Sequence, residues 1–588
     1  MRKLLGSVLL SLVCALGVAA EPPQQPPPRT MEQVVERMIS SENRLYQEIH
    51  KYQPLVETYL QTLRPDKDLG YVPAGDKYYL GRADFTKGVQ LIPLSQSTTK
   101  GKKIFGSIGN FFSFAMEFLP DGFLQMIFID TTSFDRQHYK FDYVRREFLG
   151  EVRCLVFDVT PLPKSGKGRF LGRIWVEDQD YNVVRFNGAY GGSTHSSYYF
   201  HFDSWRANIQ PGLWLPSFVY SEERDLHYSL SKKLDFKGQT RVWGYNLSGS
   251  AKEQELSKIL VETAVNDETQ TANDLAPVQA QRSWDRQAED NVADRLERLG
   301  VLAPRGEVDK VLDTVINNLE VTNNLDLDPE VRCRVLMTTT LESFTLGHTI
   351  VLSRGLIDVL PDEASLATML SHELGHVVLG HRLNPNYAFF DQLLVDDKDT
   401  FKHFGFARTP EEEQQASQKG YALLINSPYK TQLGNAGLFL QALDARAKDI
   451  PNLASAHLGN RVPVIADLRT AQPADGKKAP QQITALPLGG RVKIDPWNDK
   501  LMLIKAKAVG AVSEREKMPF EVTPFMPYLM RYGSDAVKPA AAAPALTPAA
   551  TPPSAAPDAP APPPAGAKPA EPKPGEPKPK DPASNPAR

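Results

Sequence analysis

The stretch "PDEASLATMLSHELGHVVLGHRL", residues 361 to 383, constrains the fold more than any other part of the chain. Leu366, Met369, Leu370, Leu374, Val377 and Val378 recur at steps of three and four, the period of a helix with an apolar stripe. Of the 11 histidines in the chain, three fall within this segment. His372 and His376 are four residues apart, so a helix places them on one face about one turn from each other. Packing alone gives no reason for that pair, whereas two imidazoles so placed can converge on one tetrahedral ion.

Glu373 follows His372 directly and lies about 100° further round the helix. From there a carboxylate reaches an attacking water without joining the ligands. The H-E-x-x-H pattern therefore points to metal-assisted hydrolysis, with one Zn2+ per chain and Glu373 as the catalytic base. A third ligand is still needed. His381 lies about 900° beyond His372 on a continuous helix, half a turn out of phase, so a surface role or one behind the ligands is expected for it. Leu379 and Arg382 stand where the H-E-x-x-H-x-x-G-x-x-H pattern needs Gly and His.

A glutamate on a later helix is the other common solution. In "RTPEEEQQASQKGYALL", from Arg408, Thr409 is placed to cap a helix, Pro410 to begin it, and Glu412 to close a capping box. Glu411 and Glu412 are thereby explained by the helix N-terminus. Glu413 lies deeper and shares a stripe with Ala416, Ser417 and Gly420, small residues that permit close approach to the H-E-x-x-H helix. Glu413 is the expected third ligand, with Glu412 the second choice.

These residues resemble the M48 metallopeptidases. "GHTIVLSRGLIDVLPDEASLATMLSHELGHVVLGHR" followed by "EEEQQAS" matches an edge strand, a turn, H-E-L-x-H and the first glutamate of E-x-x-A-D. The resemblance spans about residues 280–470 and implies His372, His376 and Glu413 as zinc ligands and Glu373 as base. It also implies that Thr349–Ser353 pairs with an extended polypeptide substrate by β-augmentation. Ser417 stands where the family has Asp, removing a carboxylate that would orient a ligand. His457 in "AHLGNRVP" corresponds weakly to a family histidine near the active site, without its proline.

The rest of the 588 residues reads as several units, an α+β multidomain chain. Residues 1–20, with two early basic residues, an apolar run and "VAA", have the pattern of a cleaved export signal. Cys14 raises the alternative of a lipoprotein, against which Val13 stands. Residues 21–69 read as a Pro-rich leader and helical segment broken at Pro54, and 70–250 as a β-rich domain with strands such as "FLQMIFID" and "VRCLVFDV". That domain loosely resembles periplasmic lipoprotein-carrier proteins, which implies a lipoprotein or apolar client. A linker or helix at 251–279 leads to the mainly helical 280–470, with one strand-like exception at 348–356. A small β-containing extension follows at 471–535, and 536–588 is an Ala/Pro/Lys-rich tail expected to be disordered.

A net charge of −3 gives no field to attract nucleic acid, and no later run is apolar enough to span a bilayer. No transmembrane anchor is therefore expected after signal cleavage. Cys154 and Cys333, the two cysteines beyond the signal, are too few for a disulfide scaffold; they pair or stay buried. The expectation is an exported zinc endopeptidase, periplasmic or extracellular, acting on envelope or misfolded polypeptides in extended form. The alternative is a catalytically weak, chaperone-like protein whose β domain holds a lipidated or apolar client.

Overall fold

The computed structural model describes residues 27–67, 70–86, 88–94, 121–166, 168–191, 201–229, 232–245, 277–381, 404–462, 488–489, 491–495, 499–503 and 520–533. The export signal, most of the linker and the Ala/Pro/Lys-rich tail lie outside them. Residues 1–533 form one unit by their contacts. It is an α+β arrangement of two sheets, a β ribbon and the helices that cover them.

The first sheet has ten antiparallel strands. In chain order they are β1 (Leu55–Asp66), β2 (Gly70–Asp84), β3 (Gln90–Pro93), β4 (Tyr139–Leu149), β5 (Val152–Pro161), β6 (Arg169–Glu177), β7 (Val183–Gly191), β8 (Phe202–Gln210), β9 (Leu213–Ser229) and β10 (Lys232–Trp243). Their order across the sheet is β3-β2-β1-β10-β9-β8-β7-β6-β5-β4. Residues 172–186 form a hairpin, in which β6 pairs antiparallel with β7.

Two sequence expectations are corrected here. Residues 55–63, read as a second helical piece, are β1. The apolar positions 55, 56, 59, 60 and 63 suit either structure, and pairing with both β2 and β10 decides for the strand. "FLQMIFID", read as a strand, begins in a short helix, α2 (Asp121–Gln125), after which the chain turns.

Each face of the sheet buries a separate core. On one face α1 (Met31–Glu48), capped by Thr30, presents Val34, Val35, Met38, Ile39 and Leu45. Glu42 on α1 receives both Nη atoms of Arg206 on β8, at 2.6 and 2.7 Å, and the pair is buried. Each charge there depends on the other, because a lone buried ion is costly.

The other face is continuous with the C-terminal half. Leu55, Tyr59, Trp205 and Trp243 share a core with Leu296, Leu312, Leu336 and Leu352. Cys154 and Cys333 are both free and buried in that core. Polar contacts cross it as well: Glu57 on β1 accepts from Tyr78 Oη at 2.9 Å, Thr339 Oγ1 at 2.5 Å and Arg354 Nη2 at 3.0 Å. Asp76 on β2 accepts from the backbone N of Asn452 and Leu453 at 2.9 and 2.7 Å.

The C-terminal half opens with α3 (Pro277–Arg298) and α4 (Glu307–Thr322). A four-stranded sheet follows, ordered β11 (Arg332–Leu336), β13 (Thr349–Ser353), β12 (Glu342–Leu346) and β14 (Asn460–Arg461). Only one of these strands was legible, because each is short and lacks alternation. The helices around this sheet are α5 (Arg354–Val359), α6 (Glu363–Leu379), α7 (Pro410–Ile425) and α8 (Leu433–Arg446). In the C-terminal extension β15 (Val492–Ile494) pairs with β16 (Leu501–Leu503) as a ribbon. Asp358 fastens it by accepting from the N of Val492 at 2.6 Å.

β13 was expected at an edge, free to bind substrate. It is instead flanked by β11 on one side and β12 on the other. Its apolar side chains are those of a central strand, and β12 is the strand next to the site described below.

Glu320 on α4 is half-buried, and burial pushes its carboxyl up to about 7, with Glu330 adding to the shift. A carboxyl with a raised folded-state pKa contributes stability below its ordinary value of 4.5, and that contribution is lost as pH rises through 7. Glu320→Gln is therefore expected to stabilise the protein at pH 8 by up to about 1 kcal/mol, discounted for solvent screening, and to do little at pH 4.5. Urea titrations at the two pH values check this; lower stability of the variant at pH 8 would contradict it.

Candidate metal centre

Helix α6 begins at Asp362, whose side chain accepts from Ser365 N at 2.8 Å, and ends at Gly380 with φ 71°. Between them His372, Glu373 and His376 are all buried. Helix α7 begins with the capping box that its sequence encodes: Thr409 Oγ1 accepts from Glu412 N, and Glu412 Oε2 accepts from Thr409 N at 3.1 Å. Glu412 is thereby committed to the helix end. The next residue, Glu413, faces α6.

The two helices touch backbone to backbone. A Cβ on Gly375 would lie 2.6 Å from Ala416 O, and one on Gly420 would lie 2.7 Å from Ser371 O. This contact brings Glu413 Oε2 within 3.2 Å of His372 Nε2, and Glu413 Oε1 within 3.2 Å of His376 Nε2. The two Nε2 atoms are 3.3 Å apart. His372, His376 and Glu413 thus offer ligand atoms all within 4.8 Å of one another, a group that could hold a metal ion. Two imidazoles and one carboxylate are a donor set suited to tetrahedral zinc with one position left over.

Electrostatics separate the two glutamates. Burial alone would raise Glu413, but hydrogen bonds with His372 and His376 hold it down at about 2, as suits an ionised ligand. Burial pushes Glu373 up to about 7, with Glu413 adding to the rise and His376, Ser343 and Arg408 opposing it. A dication beside Glu373 would draw it back down. Ser343 Oγ on β12 donates to Glu373 Oε1 at 2.6 Å, while Glu373 Oε2 is buried without a hydrogen-bond partner.

The groups behind the ligands are a hydroxyl, an imidazole and an amide. Ser417, in place of an aspartate, has its Oγ 3.2 Å from His372 Nδ1. His381 does not face away as a continuous helix would require. Gly380 turns the chain into the left-handed region, and His381 Nδ1 comes 2.8 Å from His376 Nδ1. Asn460 on β14 donates through Nδ2 to Glu413 Oε1 at 2.5 Å and accepts from Arg408 N at 3.1 Å. Neither Asn460 nor Ser343 had a spacing signal, since each arrives from a strand remote in sequence. His457 lies outside the group: its ring lies tilted against Tyr78, with centroids 4.8 Å apart, and its backbone N donates to Glu342 Oε2 at 2.9 Å.

An H-E-x-x-H helix packed against a glutamate-bearing helix beside a small sheet is the arrangement of a metallopeptidase site. Comparison with known proteins points the same way: residues 306–408 match the model of peptidase family M48. The matched region contains His372, Glu373 and His376 and stops short of Glu413. The N-terminal β domain is similar to two solved structures. One is a domain named for outer membrane lipoprotein sorting from Vibrio parahaemolyticus, at 12% identity and TM-score 0.19, covering 39% of this chain and 99% of that one. The other is a LolA superfamily protein from Nitrosomonas europaea, at 13% identity and TM-score 0.17, covering 37% and 93%. No curated protein matches the chain. Among the described residues no helix is long and apolar enough to cross a membrane.

Proposed function

We propose that this chain is an exported, zinc-dependent endopeptidase that hydrolyses peptide bonds of polypeptides, with envelope or misfolded proteins as its substrates. The observation that carries the reading is the convergence of His372, His376 and Glu413 beside the unpartnered Oε2 of buried Glu373. Zinc held by those three side chains would polarise a carbonyl and acidify water. Glu373 takes the proton from the attacking water on Oε2 and passes it to the departing amine. Ser343 fixes the other oxygen, Oε1, so the free one is aimed. Ser417 and His381 hold the far nitrogens of His372 and His376, which sets the ring orientations. Asn460 and the capped start of α7 hold Glu413. Export rests on the N-terminal "MRKLLGSVLLSLVCALGVAA", and a periplasmic or extracellular location follows from it.

Removal and return of metal test this reading. A chelator is expected to abolish cleavage of an unfolded protein such as casein, and one equivalent of zinc per chain to restore it. Cleavage that survives complete metal removal would end the proposal.

A second reading has its own support. A cavity of about 430 Å3 in the β domain is lined by Tyr46, Val89, Phe128, Ile129 and Tyr190, with Arg169 and Asp130 among its polar residues. A lipidated or other apolar client held there would make the chain chaperone-like. Lipid extracted from the purified protein, without any cleavage by its zinc-loaded form, would favour that role.

A further inference from the structure

Arg241 on β10 is only 7% exposed, yet among the described residues it has no ion pair within 4 Å, and Asp358 and Glu57 favour its charge only from further away. Its Nε is buried with no acceptor among the described residues, and the ring of Phe218 has its centroid 5.6 Å from Cζ. Gln239, two residues back on the same face of the sheet, is also buried with neither amide atom bonded. The other buried arginines of the first sheet and its junction are treated differently. Arg206 has Glu42, and Arg354 has Glu57 and Asp358. Burial pulls the Arg241 pKa down to about 9; Arg354 reinforces this, and Asp358 and Glu57 oppose it. At neutral pH the group is still a cation, held where a cation without an anion is expensive.

Arg241 lines a cavity of about 120 Å3 between the sheet and the C-terminal extension. Phe218, Trp243, Met502 and Phe525 form its apolar wall. Lys493 and Asp499 also line it. Asp499 accepts from the backbone N of Gly244, and Arg241 has no ion pair with it. Arg241 is thus the buried cation of the cavity lining that has no ion pair among the described residues. An apolar cavity of about 150 Å3 holds a benzene-sized body, so the space here suits up to about six carbons.

We propose that this cavity binds a small organic carboxylate, its carboxylate on Arg241 and its compact apolar body against Trp243, Phe218, Met502 and Phe525. A free short-chain acid and the last residue of a polypeptide ending in Leu or Phe share this chemistry. The site lies apart from His372, His376 and Glu413, none of which lines the cavity. It therefore stands or falls independently of the peptidase reading.

The test is calorimetric titration of the full chain with four probes: 4-methylpentanoate, its amide, acetate and acetyl-Gly-Leu. The free acid is expected to bind once per chain. The amide should bind at least about tenfold more weakly, because it lacks the charge, and acetate should not saturate below about 10 mM. Arg241→Met should lower affinity for the acid at least about tenfold without lowering the melting temperature, because it removes a buried charge that has no partner. Binding of acetyl-Gly-Leu as tightly as the free acid assigns the site to polypeptide C-termini; preference for the free acid assigns it to a small metabolite. The proposal is overturned by equal binding of acid and amide, by undiminished binding to Arg241→Met, or by no saturable binding at all, which would leave a cavity filled by water. A sharp fall in the melting temperature of Arg241→Met would also overturn it, because the guanidinium would then be part of the fold's own bonding.

Discussion

Glu373→Gln is expected to lower kcat for peptide hydrolysis by about 10²–10⁴-fold while leaving zinc in place, because it removes the proton acceptor and keeps every ligand. Gln at 373 can still accept from Ser343, so the change is confined to Oε2 and its charge. Glu413→Ala should have the opposite signature, losing the metal itself, since it takes away the carboxylate that lies 3.2 Å from both imidazoles. Zinc per chain by elemental analysis, beside kcat on a quenched peptide, separates the two. Wild-type kcat in the Gln variant would remove Glu373 from the chemistry. One tightly held zinc in Glu413→Ala would remove Glu413 from the ligands.

The second large effect concerns residues that supply no ligand atom. Gly420→Val is expected to weaken zinc affinity by about 10–100-fold and to cost about 1–3 kcal/mol of stability. A Cβ on Gly420 would meet Ser371 O at 2.7 Å and His372 N at 2.9 Å, all backbone, so only movement of one helix can make room. Any such movement draws Glu413 away from the histidines. Gly375→Val should act alike from the facing helix, where the obstacle is Ala416 O. Chelator competition measures the first effect and urea unfolding of the metal-free protein the second. A Gly420→Val protein that matched wild type in both would show that the close approach is dispensable.

The parts of this architecture legible in the sequence are those with local signals. The period of 366–378 identifies α6, and Thr409, Pro410 and Glu412 identify the start of α7. Most long strands of the first sheet announce themselves through β-branched and aromatic runs. Decisions made by tertiary contact were not legible. β1 has helical spacing and becomes a strand because β10 waits beside it, with Thr58 opposite Thr240 across 182 residues. β11, β12 and β14 are too short for a pattern. Of the two roles expected for His381, the structure has the one behind the ligands; what helical phase could not give is the route, since one glycine in the left-handed region ends α6 and returns the ring to His376. Asn460 and Ser343 reach the site from separate strands, which no spacing argument could anticipate.

The contacts of Glu57 bear on how this protein can be made. Its carboxylate is shared with Thr339 and Arg354, 282 and 297 residues further along the chain. Contacts so distant are slow to form, because a long loop must close before they contribute. An N-terminal fragment would leave Glu57 without Thr339 and Arg354, and a C-terminal fragment would leave Arg354 without Glu57, with Asp358 as its nearest carboxylate. Neither half is suited to independent production. During synthesis the sheet emerges first and must remain unaggregated, with one face exposed, until the residues bearing the histidines arrive to cover it.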